Sequence, residues 1–290
     1  MPYPLLELGG SGSLVHLAPA NGFPPETYRP LLDRLAEKYR VVSLPPRALW
    51  PDAGPPPAEP GTWDVLADDL LLGMRQHGLP PGIGLGHSFG GTATLLAAVR
   101  EPERFRALVL LDPTMLSPAR LEQLREMRRR GEDRSRPLVQ GALKRRAEFA
   151  SEEEAFAYWR EKPLFADWDD AAVRRYARNM LRPSPGGEGF ELAWPAEWEA
   201  WYYLSISTDV WEALDRLDPS RPMLVVRGER SDTFSAEAEA VLHEKRPSAA
   251  LRLLPGQGHL FPQAAPEATA DLIEEWVAAL PASPRSAAHR

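Results

Sequence analysis

The 290-residue chain contains no cysteine. Disulfides, thiolate nucleophiles and Cys-ligated metals are therefore excluded outright. Lysine is almost missing as well, with four residues against thirty arginines, a bias that a GC-rich coding sequence accounts for without a functional cause. No run of Lys and Arg is dense enough to form a nucleic-acid groove, and the net charge of -7 opposes one. The short basic cluster at residues 125–130 is bracketed by Glu122 and Glu132 and reads as a solvated helix face. No apolar run approaches the ~20 residues that a membrane span needs. Residues 1–10 lack a basic region followed by a long apolar segment. The expectation is a soluble, cytoplasmic protein. What the chain does have is 43% hydrophobic residues beside 26% charged ones, enough apolar material for a sizeable core.

Short runs of Val, Ile and Leu recur at residues 14–18, 41–44, 83–85, 107–111, 223–226 and 251–254. Each has the length of a strand buried on both faces and lacks polar alternation. Amphipathic stretches lie between them, at residues 27–39, 63–77, 89–99, 235–245 and 266–280. Strand and helix alternating in this way predict an α/β fold, a doubly wound, mostly parallel sheet with helices on both faces. The alternation breaks over residues 113–217, which have helical periodicity and no convincing strand. A structureless loop of that length is improbable in a compact domain, so an inserted helical cap is predicted. The division is then 1–112 and 218–280 for the core domain, 113–217 for the cap and 281–290 for a disordered tail. Seven cap aromatics, Trp159, Trp168, Trp194, Trp198, Trp201, Tyr202 and Tyr203, are read chiefly as packing of this small helical unit.

The chemistry concentrates in Gly86-His87-Ser88-Phe89-Gly90, followed by Gly91. A G-x-S-x-G match alone arises by chance in about one chain in ten of this length. Its context is far more specific, because an apolar strand leads in and a helix of small and apolar residues leads out. A serine on such a strand-to-helix turn is held in a strained conformation that lifts its hydroxyl above the carboxyl edge of the sheet. The amide of Phe89 points at the same space from a helix N-terminus and suits an oxyanion.

A serine hydroxyl is a weak nucleophile and needs a base. Of six histidines, His289 lies in the tail, His77 and His243 at helix ends, His16 in a buried strand, and His87 beside Ser88 but pointing elsewhere. His259 follows the last strand, where doubly wound sheets place working residues. The acid that orients it is read first as Asp232, in the loop after residues 223–226, which gives the chain order Ser, Asp, His. Glu229 in the same loop and Asp112, at the end of residues 107–111, are the rivals. The loop Ala20-Asn21-Gly22-Phe23-Pro24 offers the amide of Phe23 as a second oxyanion donor.

With these residues in place the chain resembles the α/β-hydrolase fold superfamily, which contains esterases, epoxide hydrolases, haloalkane dehalogenases and perhydrolases. The likeness runs over almost the whole chain, strongest at residues 86–91, good at Asp232 and His259, and weak in the cap. Relatives usually carry His-Gly-Phe-Pro where this chain has Asn21-Gly22-Phe23-Pro24. Epoxide hydrolases and dehalogenases have Asp at the elbow. Ser88 in that place implies acyl transfer, and so a serine hydrolase for a small to medium carboxylic ester or related acyl compound. C–C bond hydrolase, lyase, thioesterase and perhydrolase chemistry are alternatives for the same triad, and a non-catalytic ligand-binding protein on this fold is a further one. The resemblance implies a small-molecule substrate, no cofactor and no metal, no nucleic acid or membrane span, and a monomer or homodimer.

Overall fold

The computed structural model describes residues 3–281. All but the first residue of the expected disordered tail therefore lies outside the described residues.

A seven-stranded sheet forms the centre. Its members are β1 (Leu6–Gly9), β2 (Leu14–Ala18), β3 (Arg40–Ser43), β4 (Gly82–His87), β5 (Phe105–Leu111), β9 (Met223–Gly228) and β10 (Ala250–Leu254). The order is β1-β3-β2-β4-β5-β9-β10, and every pairing is parallel except that of β1 with β3. β2 and β4 are buried at every position, and β5 at every position but Arg106. This is why their sequences are almost entirely apolar or glycine, interrupted only by His16, His87 and Arg106. The antiparallel edge strand β1 carries no such signal, having only Leu6 and Leu8 as apolar residues beside Glu7 and Gly9.

Helices α1 (Arg29–Ala36), α2 (Asp64–Gln76), α3 (Phe89–Arg100), α10 (Ala236–Lys245), α11 (Phe261–Ala264) and α12 (Pro266–Ala278) belong to the same layered unit. Among them α1, α11 and α12 pack together, and α2 packs on α3. Helix α3 is buried along nearly its whole length, through Thr92, Ala93, Thr94, Leu95, Leu96, Ala97 and Ala98, so its small side chains let it lie tightly on the sheet. Two glycines are required for that approach. A Cβ on Gly90 would sit 2.2 Å from the Ala18 carbonyl oxygen, and one on Gly86 would sit 2.5 Å from the Gly90 carbonyl oxygen.

Between β5 and β9 the chain leaves the sheet and makes α4 (Pro118–Arg129), α5 (Pro137–Leu143), α6 (Glu152–Arg160), α7 (Asp170–Met180), α8 (Ala196–Leu204) and α9 (Val210–Arg216). The segment is not purely helical, as the sequence led us to expect. Strands β6 (Glu148–Phe149), β7 (Leu181–Pro183) and β8 (Phe190–Leu192) form a small antiparallel sheet in the order β6-β8-β7. Strands of two or three residues are too short to show a period-two pattern. The tryptophans pack as read, with Trp159, Trp168, Trp194, Trp198 and Trp201 all buried. The indole N–H groups of Trp198 and Trp201 donate to the carbonyls of Gly54 and Glu59 at 2.8 and 3.2 Å, pinning the Pro-rich loop of residues 51–60 to α8. Among the described residues no helix is long and apolar enough to cross a membrane.

Candidate active site

The sheet order explains which loops meet. β4 lies between β2 and β5, with β9 and β10 following. The loops leaving the carboxyl ends of β2, β4 and β5 are therefore neighbours along one edge, where this class of sheet builds its sites. Ala18 at the end of β2 is in register with Gly86, and His87 is in register with Leu111.

Ser88 occupies the turn between β4 and α3, at φ 58° and ψ -124°. A non-glycine residue there costs on the order of 1–3 kcal/mol and persists only where its surroundings over-determine it. Here they do. The Ser88 amide donates to the Leu111 carbonyl at 3.0 Å, and the Ser88 carbonyl accepts from the amides of Gly91 and Thr114 at 3.0 and 3.1 Å. The amide of Phe89, at the first position of α3, has no acceptor among the described residues and is free for a ligand.

His259 follows β10 and lies with Nε2 3.0 Å from Ser88 Oγ and Nδ1 2.6 Å from Asp112 Oδ2. The carboxylate beside the histidine is thus Asp112, and the choice of Asp232 is corrected. No hydrogen bond joins the Asp232 side chain to His259; Asp232 instead contributes its backbone carbonyl, which accepts from Arg120. The physical reason is position in the sheet. Asp112 directly follows β5, the strand paired with β4, whereas Asp232 sits four residues beyond β9. Asp112 is fully buried and at φ 43°, a second non-glycine residue in left-handed backbone. Its Oδ1 accepts from the Gly228 amide at 3.1 Å, and its Oδ2 accepts from the Ser231 hydroxyl. Those donors compensate the burial of a charge. The last residue of β9 and the loop after it lend Asp112 an amide and a hydroxyl in place of a carboxylate. Glu229, the other rival, accepts from the Gly256 amide at 2.6 Å and braces the loop that carries His259.

Phe23 is placed beside the site but with its amide committed. The N–H donates to the Ala20 carbonyl at 3.1 Å, closing the turn, so service to an oxyanion requires that this hydrogen be shared or released. Above the turn sits a polar group from the inserted segment. Arg145 pairs with Glu199 and donates to the Tyr176 hydroxyl at 2.9 Å, and Tyr176 in turn donates to the Gly22 carbonyl at 3.3 Å. Burial pushes the Tyr176 phenol up to about 12, so it stays a donor. Asn21 reaches the Glu199 carbonyl through Nδ2 at 3.0 Å. Inserted aromatics hold both phenylalanine rings: Trp168 and Tyr176 pack on Phe23, and Trp194 and Tyr202 on Phe89.

Sequence reasoning missed Thr114, whose Oγ1 lies 3.3 Å from Ser88 Oγ, and Ser231. Neither belongs to a local motif; both are brought in by strand pairing. The nearest available signal was their place just past the ends of β5 and β9.

A mostly parallel layered sheet with a serine at its elbow, contacted by a histidine that contacts a buried carboxylate, defines an α/β hydrolase. Residues 14–272 match the model of the alpha/beta hydrolase family, and the chain belongs to that family and is an enzyme of the hydrolase class. It is similar to 2-(acetamidomethylene)succinate hydrolase of Mesorhizobium japonicum, 26% identical over 273 residues, which cover 92% of this chain and 89% of that protein. The crystal structure of E-2-(acetamidomethylene)succinate hydrolase superposes with a TM-score of 0.77 at 23% identity, covering 95% of this chain and 94% of the other. The likeness to bifunctional epoxide hydrolase 2 of Rattus norvegicus is local, 26% over 112 residues, 38% of this chain; the chain spans only 20% of that longer protein.

Proposed function

We propose that the protein is a serine hydrolase that cleaves a small to medium carboxylic acid derivative through an acyl-enzyme on Ser88. The observation that carries this reading is the double contact of His259, 3.0 Å to Ser88 Oγ and 2.6 Å to Asp112 Oδ2. In the first step Ser88 Oγ attacks the carbonyl carbon and His259 Nε2 takes its proton. Asp112 accepts from Nδ1–H, which fixes the tautomer and stabilises the imidazolium without itself taking the proton. The free Phe89 amide receives the oxyanion at the positive end of α3. The Phe23 amide joins it when the Ala20 carbonyl shares the hydrogen. His259 protonates the leaving group, then activates a water that releases the acid and restores Ser88. The inserted segment acts as the cap, with Trp168, Tyr176, Trp194 and Tyr202 walling the acyl side.

Esters are the leading substrate class. An amide-type acyl compound is the second reading, favoured by the relative named for a substrate bearing an acetamido group, which matches over nine-tenths of this chain. A panel of chromogenic esters, thioesters and N-acyl compounds, run with wild type and Ser88→Ala, separates these. Turnover on one panel class that vanishes in Ser88→Ala is the expected result; equal turnover in the two proteins would sink the serine mechanism.

A further inference from the structure

The turn makes no demand on the side chain just before the serine, yet here that residue is His87, fully buried with both ring nitrogens engaged. His87 Nδ1 lies 2.7 Å from the Tyr28 hydroxyl, and His87 Nε2 lies 2.9 Å from the backbone carbonyl of His259. The Tyr28 oxygen also accepts from the Ala20 amide at 2.9 Å. Donor and acceptor accounting gives this chain one direction. A carbonyl oxygen only accepts, so Nε2 carries the His87 hydrogen. Nδ1 is then a lone pair, so the phenol donates its single hydrogen to it, and the phenol oxygen remains to accept from Ala20.

The chain joins the two loops the proposed reaction depends on. Its far end is Ala20, whose carbonyl holds the Phe23 amide; its near end is the main chain of the residue that serves as base. We propose that Tyr28 and His87 are positioning residues of this hydrolase, a relay that sets the His259 loop and the oxyanion loop against the elbow in a single geometry. The proposal rests on the serine-hydrolase reading above.

Two further observations favour it. Tyr28 and His87 are both fully buried, so water cannot substitute for either partner. The His87 and His259 rings are 5.0 Å apart, and a charge on His87 would oppose the imidazolium that forms on His259. Burial first, and the neighbouring His259 second, hold His87 well below the usual imidazole range, so it stays neutral. The relay therefore supports the base without competing for the proton.

Two substitutions break the relay at different points and one preserves it. Tyr28→Phe keeps the ring and removes the hydroxyl. His87→Asn keeps a polar group near Tyr28 but cannot reach the His259 carbonyl. His87→Gln places an amide N–H about where Nε2–H stands. Displacing a reacting group by about 1 Å costs up to about 100-fold, and a loosened loop costs less, so kcat is expected to fall about tenfold in Tyr28→Phe and His87→Asn. KM should change little, and His87→Gln should recover most of the loss. The matching readout is the second-order rate of fluorophosphonate labelling at Ser88, which should fall in parallel. Folded Tyr28→Phe and His87→Asn variants with wild-type kcat and labelling rate would overturn the relay. Nitrogen-15 spectra of the wild-type histidine rings test it without any variant. His87 should be protonated at Nε2 and bare at Nδ1 from pH 5 to 9 as an order-of-magnitude window about the ordinary imidazole range. A proton on Nδ1, or titration inside that window, overturns the relay. Failure of wild-type Ser88 to label would instead strike the serine reading, and the ring spectra would still judge the bonding.

Discussion

Two loops at the carboxyl edge of the sheet each carry an aspartate, and the two differ in burial, backbone conformation and hydrogen bonding. Asp112, after β5, is fully buried, sits in left-handed backbone and receives hydrogen bonds from His259, Gly228 and Ser231. Asp232, after β9, is exposed, and its main-chain carbonyl accepts from Arg120. A carboxylate that must stabilise a transient imidazolium works best where water does not screen it and where fixed donors hold it in place. The end of β9 and the loop after it meet that need indirectly, by supplying the donors.

The largest effect that sharpens this contrast is expected in Asp112→Asn. Losing the acid of a Ser-His-Asp triad lowers kcat by about 10⁴-fold in proteins where it has been removed, and a loss of that order on an activated ester is expected here. A loss of under tenfold would move the acid elsewhere.

Next in size is the response to acid. His87 lies well below the ordinary imidazole value of 6.5, and His16, also buried, falls to about 3, in each case chiefly because burial penalises the charged form. Between those values the unfolded chain binds protons that the native chain does not. Stability is therefore full above pH 6.5 and falls as pH drops below it, for His16 towards about 3, by on the order of 1 kcal/mol per pH unit for that group, with His87 adding in the same direction. Urea unfolding at a series of pH values checks this; a free energy that stays level down to pH 4, about the acid end of a typical titration, would contradict the buried neutral histidines.

Smaller again is Ser231→Ala. A hydrogen bond to a charged group is worth about 1.5–3 kcal/mol, so removing this hydroxyl from Asp112 should lower kcat roughly tenfold or more while leaving KM near its wild-type value. Asp232→Asn is expected to do least, with kcat within about twofold and stability within about 0.5 kcal/mol of wild type, as for a substitution outside the core and the site. A marked loss in Asp232→Asn would erase the distinction between the two loops.

The contrast also marks what a sequence can reveal. The elbow was legible because the turn makes local demands: glycines at 86 and 90 that tolerate no Cβ, an apolar strand before and a helix after. His259 was legible because a loop after the last strand is a working position in such sheets. The acid was not, because both aspartates follow apolar strands and both lie between Ser88 and His259 in the chain, so chain order does not separate them. The choice turns on which strand neighbours β4 in space, which is a property of pairing and not of spacing. The same holds for Thr114 and Ser231. The Phe23 loop was read as an oxyanion donor, and the hydrogen bond that commits its amide to Ala20 has no local signature. In the inserted segment the buried tryptophans were visible as a packing unit, while β6, β7 and β8 were too short to announce themselves.

The most direct test of the central claim is the rate of fluorophosphonate labelling, with mass mapping of the adduct, in wild type, Asp112→Asn and Asp232→Asn. The account predicts a single adduct on Ser88, formed at closely similar rates in wild type and Asp232→Asn and slowed by about 10³-fold or more in Asp112→Asn. An adduct on another residue, or a rate that falls with Asp232 and not with Asp112, would contradict it.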